Sequence, residues 1–110
     1  MIRPEDRRDR DRYRPRYDER RFPRYITPPQ RYRWYGSVWR PPVGFYSFRW
    51  QWGQTLPWNW YTPNYYLNDY WAYGLPMPPI GCEWVRVGDD AILVDVFNGR
   101  VYQVVYNLFW

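Results

Sequence analysis

From Gly81 to the end of the chain, apolar side chains recur at alternate positions in three short runs separated by turn-forming residues. A period of two is the mark of a strand with one face toward a core. The runs predict strands over 83–87, 91–97 and 100–107, arranged as an antiparallel meander. Asn98-Gly99 separates the second run from the third. That pair favours a two-residue type I′ turn, because both central positions of such a turn need φ > 0. Asp89-Asp90, following Gly88, predicts the first turn.

These turns set a register. With Asp89-Asp90 as a two-residue loop, Val87 faces Ile92 and Val85 faces Val94. With Asn98-Gly99 as the second loop, Val94 faces Gln103, Ile92 faces Val105 and Val96 faces Val101. One face of the sheet then carries Val85, Val87, Ile92, Val94, Val96, Val101 and Val105, a β-branched core face. The other carries Trp84, Arg86, Leu93, Asp95, Tyr102, Val104 and Tyr106, and is half polar. The strands at 83–87 and 100–107 are edges whose cover the pattern does not specify.

No comparable periodicity precedes this meander. From Trp39 to Pro79 the chain is dense in Pro and aromatic residues, and Pro41, Pro42, Pro57, Pro63, Pro76, Pro78 and Pro79 exclude long regular elements. Asn68 or Asp69 is placed to cap one helical turn ending at Gly74. Leu75-Pro76-Met77-Pro78-Pro79 reads as extended polyproline II. A sheet of about thirty residues is too small to bury a core alone, and each Trp or Tyr buries roughly 150–250 Å². The segment is therefore expected to lie over the meander as aromatic cover.

From Met1 to Gly36 the pattern changes again. Asp6-Arg7-Arg8-Asp9-Arg10-Asp11-Arg12 alternates in sign with no apolar spacing, and Pro4, Pro15, Pro23, Pro28 and Pro29 exclude a long helix. Such a segment buries too little apolar surface to offset an ordering cost of roughly 1–2 kcal/mol per residue. Residues 1–36 are expected to form a disordered Arg/Asp/Pro-rich tail, and 37–110 a small β module. The fold class is then mainly β: a small antiparallel meander of three to four strands, a Pro/aromatic-rich covering segment and a disordered Arg-rich tail.

Charge sharpens this division. All 16 basic residues are Arg, and there is no His. Residues 1–36 hold 12 of the arginines against 6 acids, whereas 37–110 hold 4 against 5, so the net charge of +5 resides in the tail. Arg pairs with phosphates and stacks on aromatic rings, which makes an anionic polymer or a cell-envelope component one conceivable partner of the tail. The interspersed acids weaken that field. Interleaved Arg and Tyr also raise nucleic acid as a partner, which an extracytoplasmic location would exclude.

No run of about 18 apolar residues is present, so no transmembrane helix is predicted. Met1-Ile2-Arg3 leads into charge without an apolar stretch, and the expectation is a mature form from which a signal peptide was removed. Cys82 is the sole cysteine, which excludes an intramolecular disulfide and leaves an intermolecular one open.

The stretch Tyr73-Gly74-Leu75-Pro76-Met77-Pro78-Pro79-Ile80-Gly81, the strand-like Trp84-Val85-Arg86-Val87-Gly88, Leu93-Val94-Asp95 and Gly99-Arg100-Val101 together resemble the RcnB family. Gly53-Gln54-Thr55-Leu56-Pro57 and Tyr65 to Tyr70 extend the likeness upstream, to roughly residues 50–110. The family comprises small bacterial periplasmic proteins linked to nickel and cobalt homeostasis. The resemblance implies the β module, a periplasmic location and a place in metal handling. This chain departs from what a metal role requires. Nickel and cobalt sites favour imidazole, and Cys82 and Met77 are the soft ligands available, with Asp89 and Asp90 at a turn. No metal site, cofactor or tight metal binding is expected. No nucleophile is accompanied by a His or Lys base, so no catalytic residues and no enzyme activity are expected either. The reading is a non-enzymatic binding or interaction module with an unknown protein or envelope partner.

Overall fold

The computed structural model describes residues 9–110. Four strands form one sheet: β1 (Tyr25–Ile26), β2 (Cys82–Val87), β3 (Asp90–Asp95) and β4 (Val101–Val105), in the order β1-β4-β3-β2. The expected meander is β2-β3-β4. The fourth strand is an addition from the N-terminal segment, and it runs parallel to β4, so the sheet is mixed and not purely antiparallel. Among the described residues the chain opens on α-helical residues 9–11, and the remaining regular elements are single 3-10 turns: Gln30–Tyr32, Trp58–Trp60, Pro63–Tyr65 and Tyr70–Tyr73. The last ends at Gly74 in the left-handed region (φ 74°), at the helical turn anticipated there, although Asp69 makes no side-chain cap.

Both turns differ from expectation. In the first hairpin Val87 pairs with Asp90 and Val85 with Ile92, so the loop is Gly88-Asp89 and the register moves by two residues. A two-residue move keeps each side chain on its face. Gly88 takes φ 61° at the first loop position, where glycine fits a II′ turn. Asp90 becomes a strand residue. Its Oδ1 accepts from Asn107 N at 2.9 Å, which helps hold the left-handed Asn107 (φ 56°).

The second turn is not type I′, because Gly99 has φ > 0 and Asn98 does not. Asp95 N donates to Arg100 O at 2.9 Å and Gly99 N donates to Asp95 O at 2.7 Å, which closes a four-residue loop over 96–99. Side chains stabilise it: Asp95 Oδ1 accepts from Phe97 N and Asn98 Oδ1 from Arg100 N. Gly99 is required for space as well as for φ. A Cβ there would sit 2.8 Å from Leu56 O and 2.9 Å from Tyr61 Cε1.

The longer loop pairs Val94 with Val101, while Leu93 pairs with Gln103, so Tyr102 is an extra residue in β4. This bulge reverses the alternation beyond it. Val101 keeps its expected face, but Val104 and Tyr106 join Val85, Val87, Ile92 and Val94, whereas Val105 moves to the face of Trp84 and Leu93.

Both faces are consequently apolar and both are covered. On one, Trp50, Leu56 and Trp60 from the Pro/aromatic segment pack against the valines. On the other, Phe22, Leu75, Leu108 and Phe109 pack against Trp84, Ala91, Leu93 and Val105. The half-polar second face of the sequence reading is therefore corrected: the bulge replaces Val104 and Tyr106 there by Val105, and Ala91 and Cys82 complete a second core.

The edges are covered by five separate stretches of chain. On β2, Cys82 O accepts from Arg14, Trp84 O from Leu67 N at 2.7 Å and Arg86 O from Trp39 Nε1 at 3.2 Å. On β4, Val104 N donates to Arg24 O and Tyr106 N to Ile26 O, at 2.9 and 2.8 Å. Closer to the loop, Gly53 and Gln54 exchange backbone hydrogen bonds with Val101.

The tail of the sequence reading differs most. Residues 1–8 lie outside the described residues. Residues 9–36, expected to lack regular structure, supply β1, a 3-10 turn and the fully buried Phe22. The physical reason is Glu83, which is 3% exposed on β2. Arg10 contacts its carboxylate through Nε (2.9 Å) and NH2 (2.7 Å), and Arg14 through NH1 (2.7 Å). A buried carboxylate needs such partners. The Arg/Asp alternation, read as a solvated run, supplies them, while Asp11 and Pro15 accept from Gly81 N and Ile80 N.

Three outcomes follow from this arrangement. Gly99→Val is expected to lower the melting temperature sharply, since it combines a disallowed φ with a backbone clash; an unchanged melting temperature would contradict the four-residue loop. Glu83→Gln should cost about 3 kcal/mol in chemical denaturation. It should also speed amide exchange at Ile80 more than at Leu93, and equal change at both positions would contradict the strap. The third concerns pH. Burial raises the Asp90 carboxyl, with Asn107 N–H opposing, Asp89 adding to the rise, and Arg49 and Arg33 opposing. A carboxyl raised by folding adds stability at low pH and loses it as pH rises through its folded value. Asp90→Asn keeps an acceptor for Asn107 and cannot ionise. The variant should therefore gain on the parent between pH 3 and pH 7, as read by denaturation midpoints; parallel midpoints would contradict this.

Candidate functional site: an arginine and aromatic surface

Residues considered for metal ligation from the sequence do not converge. Cys82 is buried in the second core, 2% exposed. Met77 is 43% exposed and lies against Tyr13, Arg21 and Pro76. Asp89 and Asp90 serve the hairpin and its neighbours: Asp89 O accepts from Phe109 N, its carboxylate lies 3.6 Å from Arg33, and Asp90 holds Asn107. Among the described residues no three of His, Cys, Asp and Glu come together as a metal-holding group. The donors present do not fit a nickel or cobalt site.

Two surface features remain. The first is a groove of about 380 Å³ floored by Arg86 and Phe109 and walled by Trp39, Tyr65, Asp69 and Tyr73. Its floor arginine is committed to structure. Arg86 donates to Gly88 O at 2.8 Å and Ser37 O at 2.9 Å, and stacks over Phe109 at 4.4 Å. Burial lowers its pKa, which Asp89 and Tyr73 oppose. Tyr73 donates its hydroxyl to Asp69, and burial with that bond raises its pKa.

The second feature lies where β1, the 48–53 segment and the start of β4 meet. Trp52 carries two guanidinium groups, Arg24 at 3.8 Å and Arg100 at 5.3 Å from its ring centroid. Tyr106 carries Arg49 at 3.9 Å and stacks with Tyr25 at 5.9 Å. Tyr25 links the two clusters, because its hydroxyl accepts from Trp52 N at 3.1 Å. Arg24 pairs with Glu19 at 3.4 Å, with both side chains about half exposed. Among the described residues Arg49 and Arg100 form no ion pair. The sequence signalled arginines stacked on aromatics but placed them in the tail. Two of these three arginines come from the module, brought to Arg24 by the pairing of β1 with β4.

Burial raises the hydroxyl pKa values of Tyr61, Tyr102 and Tyr106. None of these groups is brought toward neutrality. Among the described residues no helix is long and apolar enough to cross a membrane.

Comparison with known proteins agrees with the motifs. The family model RcnB, described as nickel/cobalt transporter regulator, matches residues 53–103. The match runs from the segment paired with Val101 through β2, β3 and the first part of β4, and leaves β1 outside it. One solved structure is similar at 27% identity and a TM-score of 0.48, covering 51% of this chain and 68% of its own, too slight a likeness to bear on fold or function. None of the curated proteins compared matches the chain. Residues 53–103, with their Gly-Leu-Pro entry, Trp-Val strand and Leu-Val-Asp strand, are similar to the RcnB family.

Proposed function

We propose that the chain is a non-enzymatic, periplasmic interaction module that serves nickel and cobalt handling indirectly, by binding an envelope or protein partner and not by holding the metal. The family supports the connection to metal handling. The separation of Cys82, Met77, Asp89 and Asp90 supports the indirect route, because each is buried, isolated or engaged in the hairpin. Unlike these, Arg49 and Arg100 present charge at the surface with no carboxylate bound among the described residues, which suits contact with another macromolecule.

Isothermal calorimetry of the reduced protein with Ni²⁺ and Co²⁺ is expected to show no stoichiometric site of micromolar affinity, a free energy of about −8 kcal/mol. Such a site would contradict the proposal. In a strain lacking the gene, altered nickel or cobalt tolerance should be restored equally by the parent and by a Cys82→Ser/Met77→Leu chain. Failure of that variant alone would return the metal to the protein.

A further inference from the structure

We infer that the surface formed by Arg24, Arg49 and Arg100 with Tyr25, Tyr46 and Phe48 docks on an anionic phospholipid bilayer. This rests on the reading of the chain as an envelope interaction module and names the partner. The charge argument comes first. Arg49 and Arg100 are exposed and make no ion pair among the described residues. Asp90 is within electrostatic reach of Arg49 without binding it. Stacking on Trp52 and Tyr106 fixes the guanidinium planes, so little side-chain freedom remains to be lost on contact. Arg24 and Arg100 lie within 3.8 and 5.3 Å of one ring centroid, hence no more than about 9 Å apart, with the Arg49 cluster joined through Tyr25.

The aromatics select a bilayer over a nucleic acid or a glycan. A base or sugar needs an open ring face. Here the Trp52 ring carries two guanidinium groups, and Tyr106 is 4% exposed beneath Arg49. The rings beside them are the accessible ones: Tyr25 is 46%, Tyr46 50% and Phe48 48% exposed. Phe48 is anchored edgewise on Trp50 at 4.7 Å, and Tyr46 packs against it at a tilt, 6.3 Å away. Half-exposed rings rooted in the core and flanked by arginines match a headgroup region, where amphipathic aromatics settle and anionic lipids attract the cations.

The test uses the whole chain and sedimentation with vesicles of phosphatidylcholine alone or with one third phosphatidylglycerol. Partition onto the anionic vesicles should exceed that onto neutral ones at least tenfold and fall as salt is raised. At about fivefold per arginine, Arg49→Gln/Arg100→Gln should lose on the order of twentyfold. Arg20→Gln/Arg21→Gln, equal in charge but with Arg21 set beside Tyr13 and Met77, should lose less than about threefold. Phe48→Ser should weaken the binding that persists at high salt. Near-UV circular dichroism checks each fold, and Tyr46→Ser replaces Phe48→Ser if that variant does not fold. Equal partition onto neutral vesicles, no partition at all, or equal loss in the two arginine pairs would overturn the inference. So would binding to dextran sulfate with vesicle partition insensitive to both ring variants, which would mark a soluble polyanion site. A chain that fails on vesicles yet restores metal tolerance in the deletion strain overturns this inference alone.

Discussion

A three-stranded meander with two apolar faces cannot stand in water unless both faces are covered, and that requirement organises the rest of the chain. The bulge at Tyr102 makes the constraint more severe. It places Val104 and Tyr106 on one face and Val105 on the other, so neither side can serve as a solvated surface. Each fully buried large side chain contributes about 1.5–3 kcal/mol, and strands this short supply few of them. Trp50, Leu56 and Trp60 cover one face; Phe22, Leu75, Leu108 and Phe109 cover the other. None of these lies in a long regular element, so their backbones are held by individual hydrogen bonds: Leu56 N to Gly99 O and Phe109 N to Asp89 O at the hairpin loops, and Phe22, Trp60 and Leu75 N to carbonyls of their own local turns.

That arrangement explains why a carboxylate is buried on an edge strand. Glu83 alone would be costly on β2. Paired with Arg10 and Arg14 it becomes the anchor of the segment that delivers Phe22 and β1. The same pairing of β1 with β4 brings Arg24 onto Trp52, beside Arg100. The surface offered to a partner is thus a by-product of closing the sheet edge. The residues that present it belong partly to the matched segment 53–103 and partly to the chain before it.

The strands, their order in the meander and the aromatic cover were legible because period-two patterning and prolines report on local backbone directly. The faces of β4 were not. Asn98-Gly99 favours a two-residue turn, but Asp95 and Asn98 side chains stabilise a four-residue one, and Tyr102 adds a bulge that no local pattern announces. The role of the N-terminal segment was hidden for a different reason. Composition counts Arg10 and Arg14 as solvated, and their partner is about seventy positions away. Phe22, a lone apolar residue between Arg21 and Pro23, was the available hint. Motifs between Gly53 and Val101 carried the family resemblance. The Arg24, Arg49 and Arg100 cluster could not be read, since it is assembled by a parallel strand pairing two residues long.

The central claim is that the segment before residue 37 is part of the folded unit. Guanidinium denaturation of the whole chain against a chain starting at Ser37, with a fluorescent probe of exposed apolar surface, tests it most directly. The account predicts one cooperative transition for the whole chain. It predicts a markedly lower midpoint and probe binding for the shorter one, because Phe22 and the partners of Glu83 are gone. Equal midpoints with no probe binding would show that residues 37–110 close both faces unaided, and would contradict it.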